Sequence, residues 1–245
     1  MQRLVIQSWH SRTAPQWVAE CLSSVERWAQ LNGYSYRFIG DTLFDCVPDW
    51  YLGKIANRMP IAADLARLKW ARDLLSTEAE EVVWLDADTL ILRDDPMPDF
   101  TGDCAFGLEH WVQRQPNGHC RVRRNVHNAC CAFRRDGATL PFLIQTVESI
   151  IRRADSDFIA PQMVGPKLLG ALHSLANFTV LPQFGALSPE VLLDISQGGG
   201  TALDRLREIK DLRLIAVNIC ASLQTDEPHV DRALLVRGAI RKQLG

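Results

Sequence analysis

Val82-Val83-Trp84-Leu85-Asp86-Ala87-Asp88-Thr89-Leu90-Ile91-Leu92 is an apolar run interrupted by two carboxylates. Extended backbone sends alternate side chains to opposite faces, so Asp86 and Asp88 are expected to point the same way. A carboxylate pair costs free energy when it loses water unless a cation or hydrogen-bond donors meet it. Apolar residues flank the pair on both sides. It is therefore expected at the mouth of a buried strand, a frequent place for an active site in an open α/β sheet. The alternative is two solvated loop acids that end a strand.

On the N-terminal side, Met1–His10 reads as a first buried strand. Pro15 to Asn32 follows as a helix, with Trp17, Val18, Cys21, Leu22, Val25, Trp28 and Ala29 at helical spacing and Gly33 as its stop. Tyr34 to Ile39 alternates like a second strand. This order favours a right-handed parallel crossover. The fold class is α/β, a Rossmann-like doubly wound mixed sheet with helices on both faces. Asp41 to Tyr51 reads as a loop. Pro60 opens a helix over Ile61–Leu75, on which Asp64 and Arg67 share a face. Ile61, Leu65 and Leu68 beside them read as buried, which places the pair near the core boundary; the alternative is a surface ion pair worth at most ~1 kcal/mol.

On the C-terminal side, Asp103–Glu109 and Val126–Phe133 read as strands, the second with a polar break at His127 and Asn128. Gln113–Arg124 reads as an exposed loop whose Arg121, Arg123 and Arg124 are solvated or meet a phosphate, solvation being preferred. Leu140–Arg153 is an amphipathic helix. Val164-Gly165-Pro166-Lys167 is a turn into a short helix, Phe178–Leu181 and Leu212–Val217 are strands, and Asp231–Leu244 is a closing basic helix. Ser196–Gly200 is glycine-rich, but no Lys-Ser/Thr follows to make a phosphate cradle.

Composition narrows the function. The chain has 245 residues, 47% hydrophobic, enough for one α/β domain. A net charge of −2 creates no global field for nucleic acid. No apolar run approaches the roughly 20 residues of a membrane span, and the N-terminus turns polar too soon for a signal peptide. Seven cysteines without a C-x-x-C pair signal neither zinc nor redox chemistry, so a cytoplasmic protein is expected. No G-x-G-x-x-G follows the first strand, so no dinucleotide is expected.

Two chemistries compete for Asp86 and Asp88. Asp-x-Asp-x-Thr-Leu after apolar residues fits the opening motif of haloacid-dehalogenase-like phosphohydrolases, with Asp86 as nucleophile. That reading needs a later strand ending in acids, and Ile215-Ala216-Val217 is followed by Asn218. It also leaves the preceding strand–helix–strand unit without a role. Glycosyl transfer from a nucleotide-sugar is the second chemistry. Its leaving diphosphate needs a divalent cation, and carboxylate oxygens suit manganese or magnesium.

The sequence resembles the DXD-containing sugar transferases of the glycosyltransferase 32 and 8 type, with the GT-A fold. The resemblance lies in Ile6-Gln7-Ser8-Trp9-His10, Pro15-x-Trp17, Ala63-Asp64-Leu65-Ala66-Arg67, Trp84-Leu85-Asp86-Ala87-Asp88, His127-Asn128-Ala129, Val164-Gly165-Pro166 and Ala216–Ser222. It departs from them in lacking Gly-Gly-x-Tyr before the acids and in carrying Asn218 where a histidine is usual. It implies a single domain, with a nucleotide-binding half over about 1–95 and an acceptor half over about 96–245. It implies a metal-dependent, retaining hexosyltransferase-like enzyme using a UDP- or GDP-sugar and Mn²⁺ or Mg²⁺. The acceptor, whether glycan, lipid-linked or protein, is not identified. By the same resemblance, Asp88 binds the cation, Asp86 meets it or the donor ribose, and Asn218 or His229 completes the metal site. Asp64 and Arg67 grip the sugar, Asn128 lines the donor-sugar or acceptor side, and Trp9, Phe38 and Asp41 hold base and ribose. A relative that binds the donor without turnover is the non-enzymatic alternative.

Overall fold

The structure, a computed structural model, describes residues 2–10, 14–221 and 232–245. Strand β1 (Arg3–Ser8), helix α1 (Gln16–Leu31) and strand β2 (Ser35–Ile39) form the expected parallel unit. α1 buries Val18, Cys21, Val25, Trp28 and Ala29 along one stripe, the spacing of an amphipathic helix. It stops where Gly33 takes φ +72°, a conformation that costs glycine little.

Asp41–Tyr51 is not the irregular loop its composition suggests. Asp41–Cys46 is a 3-10 helix, and Asp49–Lys54 is helix α2, entered from Pro48 at φ −66°. Tyr51 of α2 is fully buried, and this packing outweighs the local turn signals. Helix α3 (Met59–Thr77) follows. It buries residues around most of its circumference, as a helix enclosed by the core does.

β3 (Glu81–Leu85) pairs parallel to β1. The apolar run around Asp86 and Asp88 then breaks. Asp86 accepts from the Thr89 N–H at 3.0 Å, closing a turn. The next strand, β4 (Thr89–Ile91), belongs to a different sheet. The extended backbone expected through both acids is therefore replaced by a turn, and the two side chains address separate partners.

β5 (Cys104–Arg114) and β6 (Cys120–Arg134) form one long antiparallel hairpin. The exposed loop expected over 113–124 is the outer part of this hairpin. Val112 faces Val122 across it, and Gly118 turns it at φ +82°. Helix α4 (Thr139–Arg153), helix α5 (Pro166–Ala176), strand β7 (Thr179–Leu181), strand β8 (Phe184–Ala186), helix α6 (Pro189–Ser196), helix α7 (Thr201–Arg207) and strand β9 (Ala216–Asn218) complete the order. The closing segment is two short helices, α8 (Arg232–Leu234) and α9 (Ile240–Leu244), around a π-type turn. Asp231 lies outside the described residues.

The main sheet runs β2-β1-β3-β6-β5-β7, and a second sheet runs β4-β9-β8. One face of the main sheet packs Leu4, Ile6, Trp84, Phe106 and Phe133 against α3, α4 and α5. The other packs Val5, Val83, Leu85 and Ala132 against Val25, Trp28 and Ala29 of α1. This is the mixed sheet with helices on both faces that the sequence suggests. A third cluster joins the second sheet to α6, α7 and α9 through Leu90, Val217, Leu203 and Ile240. The Asp86–Asp88 turn is thus the hinge between two sheets. No helix among the described residues is long and apolar enough to cross a membrane.

Candidate active site

The site begins with α3. Asp64 and Arg67 are both 7% exposed, so the surface ion pair is ruled out by burial. Arg67 holds Asp64 at 3.5 Å and Asp86 at 3.0 Å. It also donates to the Asn128 carbonyl, and its guanidinium lies 5.2 Å from the Trp84 ring centre. Burial opposes the Arg67 charge, but Asp86 and Asp64 outweigh it and raise the pKa. Burial also pushes the Asp64 carboxyl up to about 6, against the pull of Arg67 and Asn128. A buried charge with one cation shared between two acids is costly to disturb.

β6 supplies Asn128 through an irregularity. Cys131 faces Phe106 of β5, but the next pair joins His127 to Gly107. Asn128, Ala129 and Cys130 are left over against β5, a bulge of the kind that re-aims side chains beside active sites. Asn128 donates to Asp64 at 2.6 Å. His127 secures the bulge: its Nε2 meets the Phe184 carbonyl at 2.9 Å, and its Nδ1 accepts from the Ala129 N–H at 3.2 Å. That acceptance requires Nδ1 to be bare, and burial lowers the imidazole pKa to about 4. A Cβ on Gly107 would fall 2.4 Å from the His127 ring, so glycine is required there.

Asp86 is the half-buried member, its side chain 27% exposed. Its Oδ1 accepts from Arg67 and from the Trp84 indole at 2.6 Å. Gln7, fully buried on β1, donates to the Asp86 carbonyl at 3.0 Å and accepts from the Tyr36 hydroxyl at 3.1 Å. The site reading from sequence missed Gln7 and Trp84. A glutamine inside an apolar strand, and a tryptophan two residues before Asp86, were the available signals.

Asp88 turns to β9. It accepts from Asn218 Nδ2 at 2.6 Å and from the Ala221 N–H at 2.6 Å. Asn218 Oδ1 in turn accepts from the Cys220 N–H at 2.7 Å. Among the described residues Asp88 has no cation partner. Burial first, and Asp86 second, push its pKa above the carboxylate range. No group of three or more His, Cys, Asp or Glu among the described residues is placed to hold a metal. The chemistry of Asp88 nevertheless suits a hard cation that keeps water or ligand oxygens as its remaining ligands. Asp88 Oδ1 accepts from Asn218 and Oδ2 from Ala221, and among the described residues the buried charge has no counter-ion. His229 and Ser222 lie outside the described residues.

The remaining candidates flank this centre. Trp9, just past β1, buries an indole N–H with no acceptor among the described residues. Phe38 is 41% exposed on β2, and Asp41 opens the 3-10 helix beyond it. Gly165 lies over the α3 side, where a Cβ would come within 2.7 Å of Asp64 Oδ2 and 3.0 Å of Asn128 Nδ2. The cavity left beside Asp64, Arg67 and Asn128 is about 10 Å³, room for one water at most.

No protein-family model matches the chain, and no curated protein matches it. Among solved structures, the fold is similar to a glycosyltransferase involved in the glycosylation of the major capsid of PBCV-1. The two share 12% identity over 98% of this chain and 99% of that one, with a TM-score of 0.51. The apo-form glycosyltransferase GlyE of Streptococcus pneumoniae TIGR4 matches at 11% identity over 99% of this chain and 64% of its own, with a TM-score of 0.46. Mouse xyloside xylosyltransferase 1 matches at 8% identity over 91% and 99%, with a TM-score of 0.45. The class that the architecture defines is a GT-A-like glycosyltransferase fold.

Proposed function

We propose that the chain is a glycosyltransferase that moves a sugar from a UDP- or GDP-sugar to a glycan, lipid-linked or protein acceptor, with Mn²⁺ or Mg²⁺ at Asp86 and Asp88. The observation that carries this reading is Asp88: a buried carboxylate beside a second one, met by dipoles and, among the described residues, by no cation, at a turn beyond β3. When bound, the cation would stabilise the charge of the departing diphosphate.

The chain's own residues then divide the work. Asp88 holds the cation, oriented by Asn218 and the Ala221 N–H. Asn218, its Nδ2 and Oδ1 already engaged, orients Asp88 in this reading and does not serve as a third ligand. Asp86, steadied by Arg67 and Trp84, offers its outer oxygen to the donor ribose or the metal. Asn128 faces the donor sugar or acceptor. Asp64 and Arg67 are too enclosed to grip a sugar, and act by fixing Asn128 and Asp86. The backbone near Trp9 and the stretch from Phe38 to Asp41 hold the base and ribose. No side chain stands out as a nucleophile, so retention would follow from orientation of donor and acceptor.

The test is hydrolysis and transfer with a panel of UDP- and GDP-sugars in Mn²⁺. The expected result is manganese-dependent turnover of at least one donor, reduced about a hundredfold in Asp88→Asn. Near-normal turnover by that variant would overturn the metal role. Donor binding without turnover would leave a nucleotide-sugar-binding protein. Hydrolysis of p-nitrophenyl phosphate abolished by Asp86→Asn would instead make it a phosphohydrolase.

A further inference from the structure

The β5–β6 hairpin, the β7–β8 connection and the segment from α7 onward border a second, half-open cavity of about 540 Å³, within the range of small-molecule sites. None of its lining residues belongs to the candidate active site. Val122, Pro182, Ile209 and Leu212 give it apolar walls. Four cations line it, Arg124, Arg205, Lys210 and Arg213, against two acids, Glu208 and Asp211. Arg205 is engaged by Glu208 at 2.7 Å and Arg213 by Asp95 at 2.9 Å. Arg124 and Lys210 have no carboxylate partner among the described residues.

His110 also lines the cavity and stands directly opposite Arg124 in the hairpin register. Burial, and then the Arg124 charge, hold its imidazole below the ordinary histidine pKa. A bound anion would oppose the Arg124 charge and make both groups easier to charge. Apolar walls beside unpaired cations suit a ligand with one anionic end and one uncharged body.

We propose that this cavity binds a phosphorylated small molecule, its phosphate meeting Arg124 and Lys210 and its body resting on Val122, Pro182, Ile209 and Leu212. The site is independent of nucleotide-sugar chemistry and of any cation at Asp88.

Phenyl phosphate is the probe, added to the full chain without divalent cation while the His110 imidazole is followed by NMR. The His110→Gln variant identifies that resonance by its loss. A saturable shift is expected with phenyl phosphate, weaker binding with inorganic phosphate, and none with phenol. Arg124→Ala and Lys210→Ala, both at exposed positions, should each weaken binding about tenfold with an unchanged circular dichroism spectrum. Absence of a saturable shift at millimolar phenyl phosphate, or unchanged affinity in both variants, overturns the proposal. Equal affinity for inorganic phosphate overturns the role of the apolar walls.

Discussion

Asp86 and Asp88 are two residues apart and sit in opposite electrostatic surroundings. The Asp86 side chain is 27% exposed and paired with Arg67 at 3.0 Å. Asp88 is 8% exposed and, among the described residues, meets the Asn218 amide and backbone N–H groups. The more exposed acid has the counter-charge, and among the described residues the more buried one has none. Neighbouring carboxylates in a motif therefore need not share a role. One has its counter-charge on α3, and the other is met by dipoles from β9 and the residues after it.

The largest expected effect tests the paired side. Arg67→Ala leaves Asp64 and Asp86 without their shared cation, and should destabilise the fold by about 3–5 kcal/mol in urea denaturation at pH 7. A loss below about 1 kcal/mol would mean that the pairing matters no more than an exposed salt bridge. The bulge that delivers Asn128 to the same side rests on His127. Its folded pKa of about 4 lies below the ordinary 6.5. The stability it contributes is therefore full above pH 6.5 and is lost as pH falls through 4, in total about 3 kcal/mol. Urea titrations at pH 7, 5.5 and 4 should show a shallower acid loss in His127→Gln than in the parent. An equal loss would remove His127 from the account.

The unpaired side predicts linkage to metal. Mn²⁺ at a hundred times its dissociation constant should stabilise the chain by about 2.7 kcal/mol, and Asp88→Asn should abolish that gain. Stabilisation that survives in the variant would place the cation elsewhere. The smallest effect sharpens the boundary between the two sides. Gly165→Ala should cost about 1–2 kcal/mol by crowding Asp64 and Asn128, while leaving manganese stabilisation intact. Loss of that stabilisation would show that the two sides do not act separately.

Much of this arrangement is legible in the sequence. The stripe of Val18, Cys21, Val25, Trp28 and Ala29 marked α1, and its flanking strands marked the parallel unit. Asp64, Arg67, Asp86 and Asn128 were singled out separately, and the fold joins them in one hydrogen-bonded cluster. The hairpin tip was misread, although Asn117-Gly118 is a strong turn signal between Val112 and Val122. The interleaved arginines masked the alternation. The break at Asp86–Asp88 was hidden for another reason: apolar residues on both sides of the acids look like one strand, even when they enter two sheets.

By itself, the sequence determined the helical and strand faces and the residues capable of the chemistry, because hydrophobic periodicity and side-chain type are local properties. Only the tertiary structure decided which acid keeps a counter-ion. That choice depends on long-range closure: α3 brings Arg67 to Asp86, and β9 brings an uncharged amide to Asp88. A buried charge takes its properties from these distant partners, and nothing within the motif names them.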